Sequence, residues 1–251
     1  MTWALDTAAV TAVVGAVGGL GVPALIARIP EPAERAPTPS RPVASGGAPV
    51  LTTTTAKEPY TAIAATPGLA WSAAAASAVG SGLVGLAVGW QWTLLPLVVL
   101  VPVGVALAVV DWRTKLLPTK VIAPSYVLVG LLAVAAAALG GDWPSLVRAL
   151  WGLVLARGTF WLLWLVYPRG MGFGDVRLAG VLGLALGLLG WGELVVGIYA
   201  GFVIGGVCGL VLSAVRVVDR GGYPFGPFML VGALVGVVFG GPLAEIYLGR
   251  L

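Results

Sequence analysis

The sequence predicts an all-α protein, a polytopic transmembrane bundle of about eight membrane-spanning helices, and three observations carry that expectation. Hydrophobic residues make up 59% of the 251-residue chain and charged residues only 10%, against roughly 25% charge in soluble domains. So little charge cannot coat a water-exposed surface, and a chain this apolar does not stay disordered. The apolar residues also gather into runs near the ~20 residues that a helix needs to cross the hydrocarbon core. These runs are 7–27, 69–90, 93–110, 121–140, 145–167, 176–191, 194–215 and 227–247. Finally, much of the chain's glycine (38 residues) and alanine lies inside them, where small side chains let membrane helices approach closely.

Residues 1–28 hold the first run. It does not read as a signal peptide, because its opening MTWALD carries Asp6 and no Lys or Arg, whereas a signal peptide begins basic. Residues 29–68 are rich in Pro, Ala and Thr with scattered charges, a composition that buries too little to fold, and they read as a flexible cytoplasmic loop. Residues 69–251 hold the other seven runs and form the core; the sixth run is short, and only the GWQW stretch separates the second from the third.

Positive charge sets the orientation. Counting the runs alternately, one side receives Arg28, Arg35, Arg41, Lys57, Arg113, Lys115, Lys120, Arg169, Arg177, Arg216 and Arg220, and the other only Arg148 and Arg250. Arg157 lies inside the fifth run. The first side is therefore expected to be cytoplasmic, with both termini outside. The net charge of +4 fits attraction to anionic membrane lipid and argues against nucleic-acid binding.

The chain has no histidine and one cysteine, Cys208. Ser-His-Asp and Cys-His catalysis, imidazole zinc sites, thiolate clusters and intrachain disulfides are thereby excluded. Cys208 sits in an apolar run and reads as a buried thiol. Any catalysis falls to Asp, Glu, Ser, Thr, Tyr, Lys or Arg. Of the ten acids, Asp6, Asp142, Glu193 and Glu245 fall at outer segment ends and read as solvated charges. Glu31, Glu34 and Glu58 belong to the loop, and Asp219 lies between Arg216 and Arg220.

Asp111 and Asp175 differ. Each sits where an apolar run meets the cytoplasmic boundary, where an ionisable group within a bundle is a candidate for function. Each could instead cap its segment or pair with Arg113 or Arg177; as a pair on one membrane face they read as a site. Gly170, Gly172 and Gly174 alternate before Asp175, allowing a tight turn and close approach of another chain. Pro118 fixes the stretch after Asp111, and Arg113 and Lys115 put positive charge beside it. The rigid aromatic run from Tyr223 to Phe228, with Pro224, Phe225, Gly226 and Pro227, is a third cytoplasmic element.

These elements resemble the type IV prepilin peptidases, a GxGD-type family of membrane aspartic peptidases. DWRTKLLP at 111–118 resembles the family's first aspartate motif, GMGFGDVRLAG at 170–180 its GxGD motif, and PFGPFM at 224–229 its PFGPFL element. RIP at 28–30 resembles its N-terminal Arg-Leu-Pro stretch. The match covers most of 95–245. Arg177 stands where the family usually has Lys, and Thr119 where Asn is frequent. The resemblance implies an integral-membrane endopeptidase of the inner or plasma membrane, with Asp111 and Asp175 catalytic. Its substrates would be type IV prepilins or pseudopilins, cut at the cytoplasmic end of an apolar N-terminal helix. Bifunctional members carry an insert with two CxxC pairs that bind zinc, associated with N-methylation. Here the cysteine-free stretch 31–68 holds that position, so neither metal, cofactor nor methyl transfer is expected. Two rivals are a presenilin-like intramembrane protease, which shares the GxGD aspartate, and a proton-coupled transporter, which would need midplane acids and inverted halves.

Overall fold

In the computed structural model the described residues are 4–31, 58–168, 171–214 and 224–249. They form these helices: α1 Leu5–Leu20, α2 Val22–Ala27, α3 Tyr60–Ala64, α4 Leu69–Val88, α5 Leu94–Thr114, α6 Thr119–Gly140, α7 Trp143–Val166, α8 Phe173–Leu189, α9 Trp191–Ala214 and α10 Gly226–Leu248. In lipid, backbone polar groups must be satisfied within the segment, so the long apolar runs become helices. The α1–α2 stretch (Leu5–Ala27), α4, α5, α6, α7, α9 and α10 are long and apolar enough to cross a membrane. The protein is thus a multi-pass membrane protein. α8 has only 17 residues, about 25 Å of helix, and is the short eighth.

The turns obey local chemistry. Gly141 ends α6 at φ 69°, a left-handed conformation that suits glycine. Asp142 then opens α7, accepting a hydrogen bond from the Ser145 N–H at 3.2 Å, with Pro144 in the first turn. Asp142 is therefore a helix cap as well as a terminal charge.

Three antiparallel pairs are zipped by small residues spaced about four apart, which stack on one helix face. On α1, Thr7, Thr11, Gly15 and Gly19 are buried, and they meet Ala73, Ser77, Ser81 and Gly85 of α4. A methyl group added at Gly19 would lie 2.5 Å from the Ala73 carbonyl oxygen. Between α7 and α8, Gly152 and Gly183 face each other backbone to backbone, and a methyl at Gly187 would come 2.9 Å from the Arg148 carbonyl oxygen. Between α9 and α10, Gly197 and Gly201 meet Gly232 and Gly236.

α8 sits at the centre, against α6, α7, α9 and α10. Thirteen of its 17 residues are buried, as expected of a helix that is apolar all round. Its C-terminal end is capped from a neighbour. Arg148 of α7 donates to the carbonyl oxygens of Gly187, Leu188 and Leu189 at 2.8–3.0 Å, filling acceptors that a helix C-terminus leaves open.

The stretch 29–68, read as loop from composition, contains α3. Tyr60 and Ile63 are buried where α3 packs on α2 and α5, and the Thr61 N–H donates to Glu31 at 3.2 Å. Two apolar side chains are enough to dock one turn of helix against a hydrophobic surface already formed. Glu34, Asp219, Gly170 and Tyr223, with the cations Arg35, Arg41, Lys57, Arg169, Arg216 and Arg220, lie outside the described residues.

Candidate active site

α5 ends, and α8 and α10 begin, at the same end of the bundle, and there the two aspartates meet. Asp111 lies in the last turn of α5 and is 4% exposed; Asp175 lies in the first turn of α8 and is 7% exposed. The Gly226 N–H, at the first position of α10, donates to Asp111 Oδ2 at 2.9 Å. The Gly172 N–H donates to Asp175 Oδ2 at 3.0 Å, so Asp175 reaches back over its own helix N-terminus like the acidic half of a capping box. The two carboxyl groups lie around one side chain: Leu117 packs against both Gly226, whose N–H holds Asp111, and Gly174, the neighbour of Asp175.

Glycine is needed at two of these positions for space. A methyl group at Gly226 would lie 2.7 Å from Asp111 Oδ2, and one at Gly174 would lie 2.7 Å from Leu117 Cβ. Leu117 also approaches the Gly226 position, 3.4 Å from its would-be methyl. This side chain therefore fills the space between the two glycine-bearing elements, a role the sequence reading did not assign to it. Its own place is set by the turn after α5. Lys115 adopts φ 54° and its N–H donates to the Asp111 carbonyl at 2.7 Å, which ends the helix. Pro118, extended at ψ 121°, then opens α6.

Phe225 ties the third element down, with its ring centroid 5.6 Å from that of Phe202 in α9 and 6.2 Å from that of Phe160 in α7. Pro224 precedes it, half-buried, and Pro227 sits in the first turn of α10. The two arginines face elsewhere. Arg113 bonds Thr66 at 3.1 Å and pairs with Glu58 at 3.7 Å, stapling the segment around α3 to the end of α5. Arg177 bonds Thr119 and lies 4.8 Å over the Phe173 ring. Neither guanidinium is among the groups acting on Asp111 or Asp175.

An apolar cavity of about 270 Å³ runs from this end into the bundle between α4, α5, α8 and α10. It begins at Ala108, one turn before Asp111, and at Pro227, beside Gly226, and continues past Gly104 and Leu230 to Leu97 and Val237.

Membrane-crossing helices with two buried carboxyl groups, brought together from two of them at one end, define a multi-pass membrane protein with a paired-aspartate site. Residues 98–210, from α5 into α9 and including both aspartates, match the type IV leader peptidase family. A prepilin leader peptidase/N-methyltransferase of Stutzerimonas stutzeri is 35% identical over 114 residues, covering 43% of this chain and 38% of that relative. The match thus spans well under half the length of the relative. No solved structure gives a significant match.

Proposed function

We propose that the protein is a membrane aspartic endopeptidase that removes the leader of type IV prepilins or pseudopilins at the cytoplasmic face of the inner or plasma membrane. The observation that carries this reading is the pair itself: Asp111 and Asp175, from separate helices, are both buried at the same end of the bundle, on either side of Leu117. The family match over residues 98–210 supports it, as does the bias of positive charge toward this end.

Two carboxyl groups this close cannot both ionise cheaply, so the pair holds one proton. Each aspartate has Oδ2 fixed by a backbone N–H, and in the proposed reaction the second oxygens hold a shared water. The ionised member takes a proton from that water as its oxygen bonds to the scissile carbonyl carbon. The protonated member donates its proton to the carbonyl oxygen. When the C–N bond breaks, the first member passes its proton to the leaving amine, and the carbonyl re-forms as the second member takes back a hydroxyl proton, which restores the starting pair. The apolar cavity beginning at Ala108 and Pro227 would seat the apolar helix that follows the cut. A proton relay across the bundle is less well supported, because α8 beyond Arg177 is wholly apolar, LAGVLGLALGLL.

Coexpression with a tagged prepilin and with a tagged single-pass control tests the reading. Shortening of the prepilin alone, by the length of its leader, is expected; both or neither being shortened would overturn it.

Two further outcomes follow from the geometry. Gly226→Ala should cut processing by about tenfold or more with little change in thermal midpoint, since the added methyl displaces the Asp111 carboxylate and leaves the helix intact. Gly130→Ala, whose new methyl meets open space, should process normally. Gly104→Leu fills the cavity and presses first on the flexible Leu230 tip, 3.0 Å from a methyl at that position. It should slow cleavage of full-length prepilin about tenfold, while a short peptide spanning the junction is cut at the normal rate.

A further inference from the structure

Arg157 is the charge the reaction leaves unused. It lies nine residues before the end of α7 at Val166, about 14 Å along the helix. It is exposed, on a stretch whose neighbours Val154 and Trp161 are 54% and 46% exposed. That surface faces acyl chains, where a cation is costly unless it finds an anion. Arg157 lies 5.9 Å from the Tyr126 ring centroid and its Nη1 donates to the Tyr126 hydroxyl oxygen at 3.4 Å. The Tyr126 hydroxyl in turn donates to the Arg177 carbonyl at 2.5 Å. The Arg177 guanidinium bonds Thr119, in the first turn of α6, so cations from α7 and α8 both lie along α6, two turns apart.

No carboxylate compensates them. Among the described residues the ion pair is Arg113 with Glu58, and Asp175, two residues before Arg177, is held by Gly172 and acted on by Asp111. Two guanidinium groups and the Thr119 hydroxyl, near the end of the bundle where the aspartates lie, offer donors suited to phosphate. The only anions that surrounding lipid can bring there are headgroups. We infer that Arg157 and Arg177, positioned by Tyr126 and Thr119, bind the phosphate of an anionic phospholipid between α6 and α7. A bound headgroup would neutralise both cations and tie α7 to the α8 turn that carries Asp175.

Native mass spectrometry of the detergent-solubilised full chain, titrated with phosphatidylglycerol, phosphatidylcholine or glycerol phosphate, tests this. Wild type should retain phosphatidylglycerol in preference to the other two, and Arg157→Gln should bind it about tenfold more weakly. Arg157→Lys should recover part of the loss. Lys115→Gln, a cation at the same end but outside the cluster, should bind as wild type. The thermal midpoint of Arg157→Gln in detergent alone shows that the variant is folded. Equal retention by Arg157→Gln, an equal loss in Lys115→Gln, or equal binding of glycerol phosphate would each overturn the site. The last would mean a free phosphate ligand, the second a diffuse attraction, and the first that Arg157 answers to another partner such as a carboxylate on a substrate helix.

Discussion

Asp111→Asn and Asp175→Asn should each reduce prepilin processing by on the order of 10³-fold or more, and the double variant should lose little beyond either single one. Residues that act as one device are strongly non-additive, and Asn keeps the shape and the bond from Gly226 or Gly172 while removing the exchangeable proton. The same logic fixes the pH dependence. Below both titrations of the pair each carboxyl carries a proton and no base remains. Above both, each is ionised and nothing polarises the carbonyl. The rate should therefore rise and then fall with pH, and the two limbs belong to the pair rather than to either residue. Asp142→Asn, Glu193→Gln and Glu245→Gln should process normally; Asn at 142 can still accept the Ser145 N–H that caps α7. A folded, inserted Asp111→Asn or Asp175→Asn cleaving at near wild-type rate would end the aspartic reading.

The second large effect is on stability. Gly183→Val places a branched side chain against the Gly152 backbone and 2.5 Å from the Ala156 methyl. Backbone cannot move aside as a side-chain tip can, so α7 and α8 must separate, at a cost of about 3 kcal/mol. The thermal midpoint in detergent should fall by several degrees, and processing should fall with it because α8 carries Asp175. Gly158→Ala, on the same α7 but facing open space, should leave the midpoint unchanged or slightly raised. Equal midpoints for the two variants would show that the zipper does not hold the pair together.

Helices that cross a membrane were legible because lipid forces each apolar run to satisfy its own backbone. The run at 69–90 is α4, Leu69–Val88, almost to the residue. The apolar run at 176–191 begins three residues after the helix does. α8 starts at Phe173, and Asp175, expected at a helix N-terminus, lies in its first turn and caps it. Hydropathy could not reveal that start, because the first turn of α8 is closed by a carboxylate. Likewise Gly226 and Asp111 lie 115 positions apart, and no spacing rule announces that the N–H of one holds the oxygen of the other. The PFGPF element indicated that something docks there, and the packing of Phe225 against Phe160 and Phe202 decides where. Arg113 and Arg177 show the opposite error. Nearness in sequence to an aspartate suggested support for it, whereas rotamer and packing turn both side chains toward other partners.

Both carboxyl groups take their orientation from main-chain amides, those of Gly172 and Gly226. A peptide N–H persists through almost every mutation, so no single substitution can delete these donors by changing their chemical identity; only proline, or a change in where the backbone runs, can remove them. Selection at these positions then acts on volume. A substitution scan of the loop before α8 and the start of α10 should sort variants by size rather than by polarity. The dyad's geometry could then persist through extensive sequence drift around it, as long as the glycines that give the carboxyl groups room are kept.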